Sequence, residues 1–296
     1  MCRILNAAAL GFAALWLAGQ SGPVMAQNLE NSQVVIAYEA PRNPAFQPLY
    51  ERLKARRPLE DLRAFLAPLR LPAKLQVHTA QCDATYIPYV FSPATICYEY
   101  LDQIERLAPV DVSPKGVTRA NAIAGAFVQV ALHQVAGAVI EILQVPVWGR
   151  EEDAADKLAG FIMMQFGKDV ALRTLAGTTY FFEASDRTWT GNDFSDVRGT
   201  EDQRFYNYLC IAYGGDPATF GYVVRDKTLP KLRADGCAHE YAELKFAFAK
   251  TIMPFVDQDV MARVRSVQWL KPDDGQFIPP VQEASRPMQN DADNAR

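Results

Sequence analysis

The segment 125–166 most constrains what this chain can fold into, because its pattern is typical of two long helices joined by a short turn. Thr118 is a suitable N-cap for the first helix, which is predicted to run through Leu143. The turn 144–149 contains a proline and ends in a glycine. A connection this short folds the following helix back on the preceding one. The second helix, 151–166, is therefore predicted to pack against the first.

Three residues that can carry chemistry fall on these two helices. His133 lies on the first helix, and Glu152 and Asp156 lie one turn apart on the second. Residues four apart on a helix share a face, so the two carboxylates point the same way. If the helices pack as predicted, the imidazole and both carboxylates meet between them.

Composition and charge exclude several classes of partner. The chain has 296 residues, 49% of them hydrophobic, which is enough to bury a large core. Its net charge is −4, and its basic residues form no stripe. Neither a nucleic acid nor an anionic membrane surface is therefore a predicted partner.

Residues 1–26 are typical of a secretory signal peptide. A short basic start precedes an apolar run at 7–18, and Val24-Met25-Ala26 offers the small residues that a signal peptidase recognises. A transmembrane helix needs about 20 apolar residues, and this run is shorter. No later segment is expected to be long and apolar enough to span a bilayer. We expect a mature chain that starts at Gln27 and is secreted or periplasmic, with one domain at 27–270.

Four cysteines remain after the signal segment: Cys82, Cys97, Cys210 and Cys237. An even count in an exported protein indicates two disulfides, and four cysteines allow three pairings. Proximity in sequence favours Cys82–Cys97 and Cys210–Cys237, each worth roughly 3 kcal/mol in the loop-entropy model. A zinc site built from cysteines is disfavoured, because the chain has no Cys-x-x-Cys pair.

The remaining patterns predict an α+β fold, mainly helical, with a small N-terminal sheet packed on a helical core. Predicted strands are 33–39, 74–79, 85–90 and 95–98; predicted helices are 49–69 with a break at Pro58, 201–213 and a last helix at 241–256. The segment 177–182 is ambiguous, and 187–200 is polar and predicted to be a loop. From Lys271 the chain is rich in Pro, Asp and Asn, and disorder is predicted.

The two-helix segment also carries a specific resemblance. It contains Leu132-His133-Gln134 and ends in Pro146-Val147-Trp148-Gly149-Arg150-Glu151-Glu152-Asp153-Ala154-Ala155-Asp156. Further matching runs are Cys97-Tyr98-Glu99, Gln203-Arg204-Phe205-Tyr206-Asn207, Cys210, Tyr213-Gly214, Arg233-Ala234, Cys237 and Glu240-Tyr241. In these runs the chain resembles a family of secreted bacterial proteins catalogued as a domain of unknown function and regarded as zinc metallopeptidases. Its members carry a His-Glu-Leu-Gly-His-like helix, followed by Pro-Val-x-Gly-Arg-Glu-Glu-Asp-Ala-Ala-Asp.

The resemblance implies a zincin-like fold, of the gluzincin type, with the motif helix at its centre. It also implies roles for the residues that are kept. His133 would be the first zinc ligand and Glu152 the third. Asp156 would lie behind the metal and orient a ligating histidine through a hydrogen bond.

Three positions of the family pattern are replaced. Gln134 stands where the general base belongs, Gly137 where the second histidine ligand belongs, and Arg198 where the family has a histidine that acts as transition-state donor. Glutamine cannot take a proton from water, and loss of a general base costs about 10²- to 10⁴-fold in rate. Two protein ligands seldom hold zinc. The predicted site is therefore inactive and needs no cofactor, with zinc expected only if the site still functions.

Other interpretations of the same residues stay open. His133 on an apolar helix can be a core histidine that bonds Asp156 or Glu152 directly. The acidic residues at the start of the second helix can be first-turn residues that the helix dipole favours. Arg204 can pair with one of these acids.

Two functions follow from the sequence. The first is an exported, catalytically inactive pseudo-peptidase that keeps the fold and binds a peptide or protein partner. The second is an active zinc-dependent peptidase with a rearranged metal site, which needs a further ligand that the sequence does not reveal. A purely structural envelope protein fits the signal segment and the disulfides but leaves the retained acidic motif unexplained.

Overall fold

The computed structural model describes residues 29, 31–83, 91–186 and 196–270. The predicted signal segment, the predicted strand at 85–90, most of the predicted loop at 187–200 and the predicted disordered tail lie outside these residues. The helices are α1 (Gln47–Arg56), α2 (Pro58–Phe65), α3 (Tyr98–Leu107), α4 (Arg119–Ile142), α5 (Glu151–Met163), α6 (Lys168–Asp186), α7 (Glu201–Gly215), α8 (Pro217–Phe220), α9 (Tyr222–Arg225), α10 (Lys231–Ala234), α11 (Cys237–Thr251) and α12 (Gln258–Ser266). The prediction of a mainly helical α+β fold is confirmed.

The sheet contains three parallel strands in the order β1 (Val34–Tyr38), β2 (Leu75–Ala80) and β3 (Ala94–Cys97). Strands β1 and β2 are parallel because the helices α1 and α2 carry the chain back between them. Buried and more exposed residues alternate along β1 and the first half of β2, so one face of the sheet packs on the helices. The predicted strands at 33–39, 74–79 and 95–98 all coincide with observed ones.

Helix α4 lies at the centre and packs against α3, α5, α6 and the sheet. It begins where the sequence predicts, since the Thr118 side chain accepts a hydrogen bond from the backbone N–H of Asn121. Helices α4 and α6 approach closely at two glycines: a Cβ on Gly125 would overlap the Thr174 carbonyl, and one on Gly177 would overlap the Asn121 carbonyl. The ambiguous segment 177–182 is helical and belongs to α6, and its Gly177 lets α6 lie close against α4.

By length and composition α4 could cross a membrane, and 94% of its apolar window is buried inside the protein. The expectation that no segment after the signal is long and apolar enough to span a bilayer is therefore wrong as stated. Neighbours surround α4 on several sides, and a helix enclosed in this way is apolar around most of its circumference.

The C-terminal helices differ from the prediction of one last helix at 241–256. Helix α11 starts earlier, at Cys237, and ends at Thr251, before a short 3₁₀ turn at Met253–Phe255. Helix α12 follows, and its start is capped by Asp257, which accepts hydrogen bonds from the backbone N–H groups of Asp259 and Val260. The proline in the 3₁₀ turn stops the first helix, and the aspartate starts another.

Both predicted disulfides are present, Cys82–Cys97 and Cys210–Cys237. The first ties the segment after β2 to the end of β3, and the second ties α7 to the start of α11. Each disulfide closes a loop in the unfolded chain and lowers its conformational entropy, which stabilises the folded state.

Candidate functional site

The site lies between α4 and α5, at the place that the two-helix pattern indicates. The turn between them requires a left-handed backbone at Gly149, whose φ is 129°, and glycine adopts this conformation without strain. Helix α5 then runs along α4, and Glu152 and Asp156 face it with 5% and 6% of their surface exposed.

His133 is completely buried between the two carboxylates. Its Nδ1 lies 2.8 Å from Asp156 Oδ1, and its Nε2 lies 3.1 Å from Glu152 Oε2. Ionised carboxylates only accept hydrogen bonds, so both contacts are satisfied when both ring nitrogens carry a proton. The geometry therefore favours an imidazolium held by two acids.

Asp156 connects this pair to a third helix. Arg204 of α7 donates to it twice, from Nε to Oδ2 at 2.7 Å and from Nη2 to Oδ1 at 3.1 Å. Gln129 Nε2 and the Tyr208 hydroxyl also donate to Oδ1, at 3.1 and 3.4 Å. The guanidinium of Arg204 stacks on the Phe182 ring, 4.4 Å from its centroid. One carboxylate thus receives hydrogen bonds from side chains of α4 and α7 while it belongs to α5.

The charges of this cluster shift the ionisation of its members. Burial alone would lower the pKa of His133, but the carboxylate of Asp156 and the hydrogen bond to Glu152 outweigh it, and the pKa is raised. Burial would likewise raise the pKa of Asp156, but Arg204 and His133 hold it well below its ordinary range. Burial raises the pKa of Glu201, next to Arg204, and the charge of Asp156 adds to that rise. At neutral pH, His133 and Arg204 are therefore expected to be positively charged and Asp156 negatively charged.

Gly137, where the resemblance predicts a second histidine ligand in the family, faces an aromatic ring. A Cβ on Gly137 would overlap three ring atoms of Phe91. This ring is 1% exposed and stands edge-on to the His133 imidazole, with 5.6 Å between the centroids. A side chain of any size at position 137 has no room unless Phe91 moves.

Gln134, which the resemblance assigns to the position of the general base, is a fully buried amide. Gln134 has no exposed surface, and neither its Nε2 nor its Oε1 has a hydrogen-bond partner among the described residues. An amide has no useful basicity at neutral pH. Gln134 therefore offers a polar group without acid or base chemistry.

Arg198 lies near the same cluster but on its Arg204 side. Its charge acts on Tyr100 and on Glu201, and its Nε lies 3.5 Å from Asp196 Oδ1. The described contacts therefore place it within a second layer of charges around Arg204. Its assignment as a transition-state donor stays a prediction.

The residues present do not fit a zinc ion. A zinc site needs at least three protein ligands, and His133 and Glu152 supply two. Within the described part of the chain, the group of His, Cys, Asp or Glu side chains with suitable spacing is Cys82, Cys97 and Glu99. Its two sulfurs form a disulfide, and Glu99 already accepts hydrogen bonds from the backbone N–H groups of Cys82 and Asp83. The described residues around His133 therefore supply no third zinc ligand.

Some site residues were not indicated by the sequence analysis. Gln129 lies one turn before His133 on the same face of α4, so helical spacing could have identified it. Phe91 and Tyr208 are distant in sequence from His133 and leave no local signal. The pairing of Arg204 with an acid of the cluster is among the interpretations that the sequence leaves open, and the structure shows it.

Replacing Asp156 with Asn should lower the free energy of unfolding by about 3–5 kcal/mol, because the buried charge of Arg204 then keeps only its longer, 3.5 Å contact with Glu201 among the described acids. Asp153→Asn is the matched control on the same helix, since Asp153 pairs with Arg150 at the surface. It should cost less than about 1 kcal/mol. Urea unfolding of both variants measures the difference, and equal losses would show that the buried contacts of Asp156 carry no special weight.

Gly137→Ala should destabilise the protein by more than about 2 kcal/mol, because the new Cβ overlaps the Phe91 ring. Phe91→Ala should also destabilise it, by about 3–5 kcal/mol, through the cavity that it leaves. In the double variant the methyl group enters that cavity, so the two losses should not add, and the coupling should be about 2 kcal/mol. Additive losses in thermal and urea unfolding would mean that Phe91 does not occupy this place.

Comparison with known proteins agrees with the resemblance in sequence. A model of the family DUF4344, described as "Putative metallopeptidase", matches residues 38–251. No curated protein and no solved structure matches the chain. The match covers both disulfides, the central helix pair and the charged cluster. The chain therefore belongs to the DUF4344 family of metallopeptidase-like proteins.

Proposed function

We propose that this protein is an exported, catalytically inactive member of its family that keeps the peptidase-like fold and binds a peptide or protein partner. The observation that carries the proposal is the Phe91 ring, which takes the space of the second histidine against Gly137. A lost ligand alone leaves a gap that another group could fill. A packed aromatic ring at that place leaves none.

The amide of Gln134 supports the same conclusion independently. Peptide hydrolysis at a zinc site needs a base that takes a proton from the attacking water. Gln134 is buried and cannot do this at neutral pH. The base and a ligand are therefore both missing, and restoring either one alone does not restore the chemistry.

Export is supported by the two disulfides, since such bonds persist in oxidising compartments. The N-terminal segment has the pattern of a signal peptide. Partner binding is the function that remains for a peptidase-like fold without its chemistry. The alternative, an active zinc peptidase with a rearranged site, requires a third ligand, and no described residue supplies one beside His133 and Glu152.

Calorimetric titration with zinc tests the proposal on the wild-type protein and two variants. The wild type should bind no zinc tightly, and Gly137→His should bind none either, because Phe91 leaves no room for an imidazole. The triple variant Phe91→Ala, Gly137→His and Gln134→Glu supplies space, ligand and base together. It should bind zinc and slowly hydrolyse unstructured peptides, and a further His133→Ala change is its control. Stoichiometric tight zinc in the wild type, lost on His133→Ala, would contradict the proposal.

A further inference from the structure

The strand β1 stands at the edge of the sheet in the described part of the chain, because β2 is its one paired neighbour there. In a parallel pair, alternate residues direct their backbone groups toward the partner strand. Gln33 accepts from the Leu75 N–H at 2.8 Å, and Glu39 donates to the Thr79 carbonyl at 2.9 Å. The odd-numbered residues therefore face β2, and the even-numbered ones face outward.

The outward groups of β1 are only partly used. The Val34 N–H donates to the Asn31 carbonyl at 3.0 Å, so this N–H group is not available to a further strand. Ile36 and Tyr38 direct their N–H and C=O groups away from β2, and no other described strand pairs with them. An unpaired strand edge is a template for a further strand.

A groove of about 250 Å³ lies beside the first half of β1, lined by Asn31, Ser32, Val34, Val35, Ile36 and Arg63. Arg63 comes from α2 and is partly buried. It makes no hydrogen bond or ion pair with any residue that the structure describes, unlike its neighbours Arg57 and Arg70. The groove thus combines two features: backbone groups with which no described strand pairs, and one partly buried arginine that forms no ion pair among the described residues.

We infer that the free edge of β1 binds an extended peptide segment that carries a carboxylate, which adds as a fourth strand and pairs with Arg63. Main-chain hydrogen bonds from Ile36 and Tyr38 supply the affinity of such strand addition, and side-chain contacts supply its specificity. The charge of Arg63 favours an acidic occupant. This inference names the binding surface of the partner and so rests on the proposed function. It also places that surface away from His133, which Phe91 covers.

The probe for this surface is the labelled peptide acetyl-Thr-Val-Asp-Val-Thr-Val-amide, titrated into the full mature chain. Fluorescence anisotropy measures affinity, and amide hydrogen exchange by NMR locates the contact. The amides of Ile36 and Tyr38 should become protected when the peptide binds. A peptide with asparagine in place of aspartate should bind about tenfold more weakly, because it loses the charged contact. A peptide methylated on alternate backbone nitrogens should not bind.

Arg63→Gln should weaken binding of the acidic peptide about tenfold and leave the asparagine peptide unchanged. Arg225→Gln is the matched control, since Arg225 is an exposed arginine on α9, outside the cluster that joins α12 to α2, and the change removes the same charge. It should leave both affinities unchanged. Equal effects of the two variants would overturn the role of Arg63.

Several other results would overturn the inference. Binding without protection of Ile36 and Tyr38 would place the peptide elsewhere. Binding only after removal of residues 271–296 would show that the chain itself occupies the edge. Protection that rises with protein concentration would assign the edge to a second copy. Zinc-dependent peptide hydrolysis by the wild type would instead overturn the proposed function. That result is independent of whether the amides of β1 become protected, so the two failures can be told apart.

Discussion

The carboxylate of Asp156 accepts hydrogen bonds from His133 and Gln129 on α4 and from Arg204 and Tyr208 on α7, while its own backbone belongs to α5. These three helices can satisfy it only in one relative register. A buried charge is costly without partners, and the attraction of a buried ion pair largely offsets the cost of removing both charges from water. The cluster therefore contributes little net stability but penalises every arrangement that breaks it. The central packing of the protein depends on this constraint.

In a zinc peptidase an acid at this place orients a histidine that binds the metal. Here the same histidine is held from both sides by acids, and its imidazolium supplies positive charge between Asp156 and Glu152. The ring of Phe91 fills the space beside this histidine and contacts Gly137. Hydrogen bonds to His133 and Arg204 thus hold the two acids of this motif inside the core.

Local signals in the sequence were sufficient for the central helix pair. Thr118, the turn at 144–149 and the four-residue spacing of Glu152 and Asp156 act over a few residues, and each predicted its feature correctly. The disulfides followed from cysteine count and proximity. The contact of Phe91 with Gly137, the parallel order of the strands and the exposed edge of β1 could not be predicted in this way, because they depend on which distant segments meet. Helix α12 was missed because it is short and mostly polar, with Val260 and Val264 as its buried residues, so its apolar pattern is weak.

The protonation state of the His133 ring tests most directly whether this residue is a core histidine held by two acids or a zinc ligand. Nitrogen NMR can observe both ring nitrogens in protein prepared without chelator, at slightly acidic pH, before and after addition of zinc. We expect both ring nitrogens to carry protons, with Nδ1 hydrogen-bonded to Asp156 and Nε2 to Glu152. Addition of zinc should change neither signal. A shift of Nε2 to the position of a metal-bound nitrogen would contradict it, since His133 would then still be a zinc ligand.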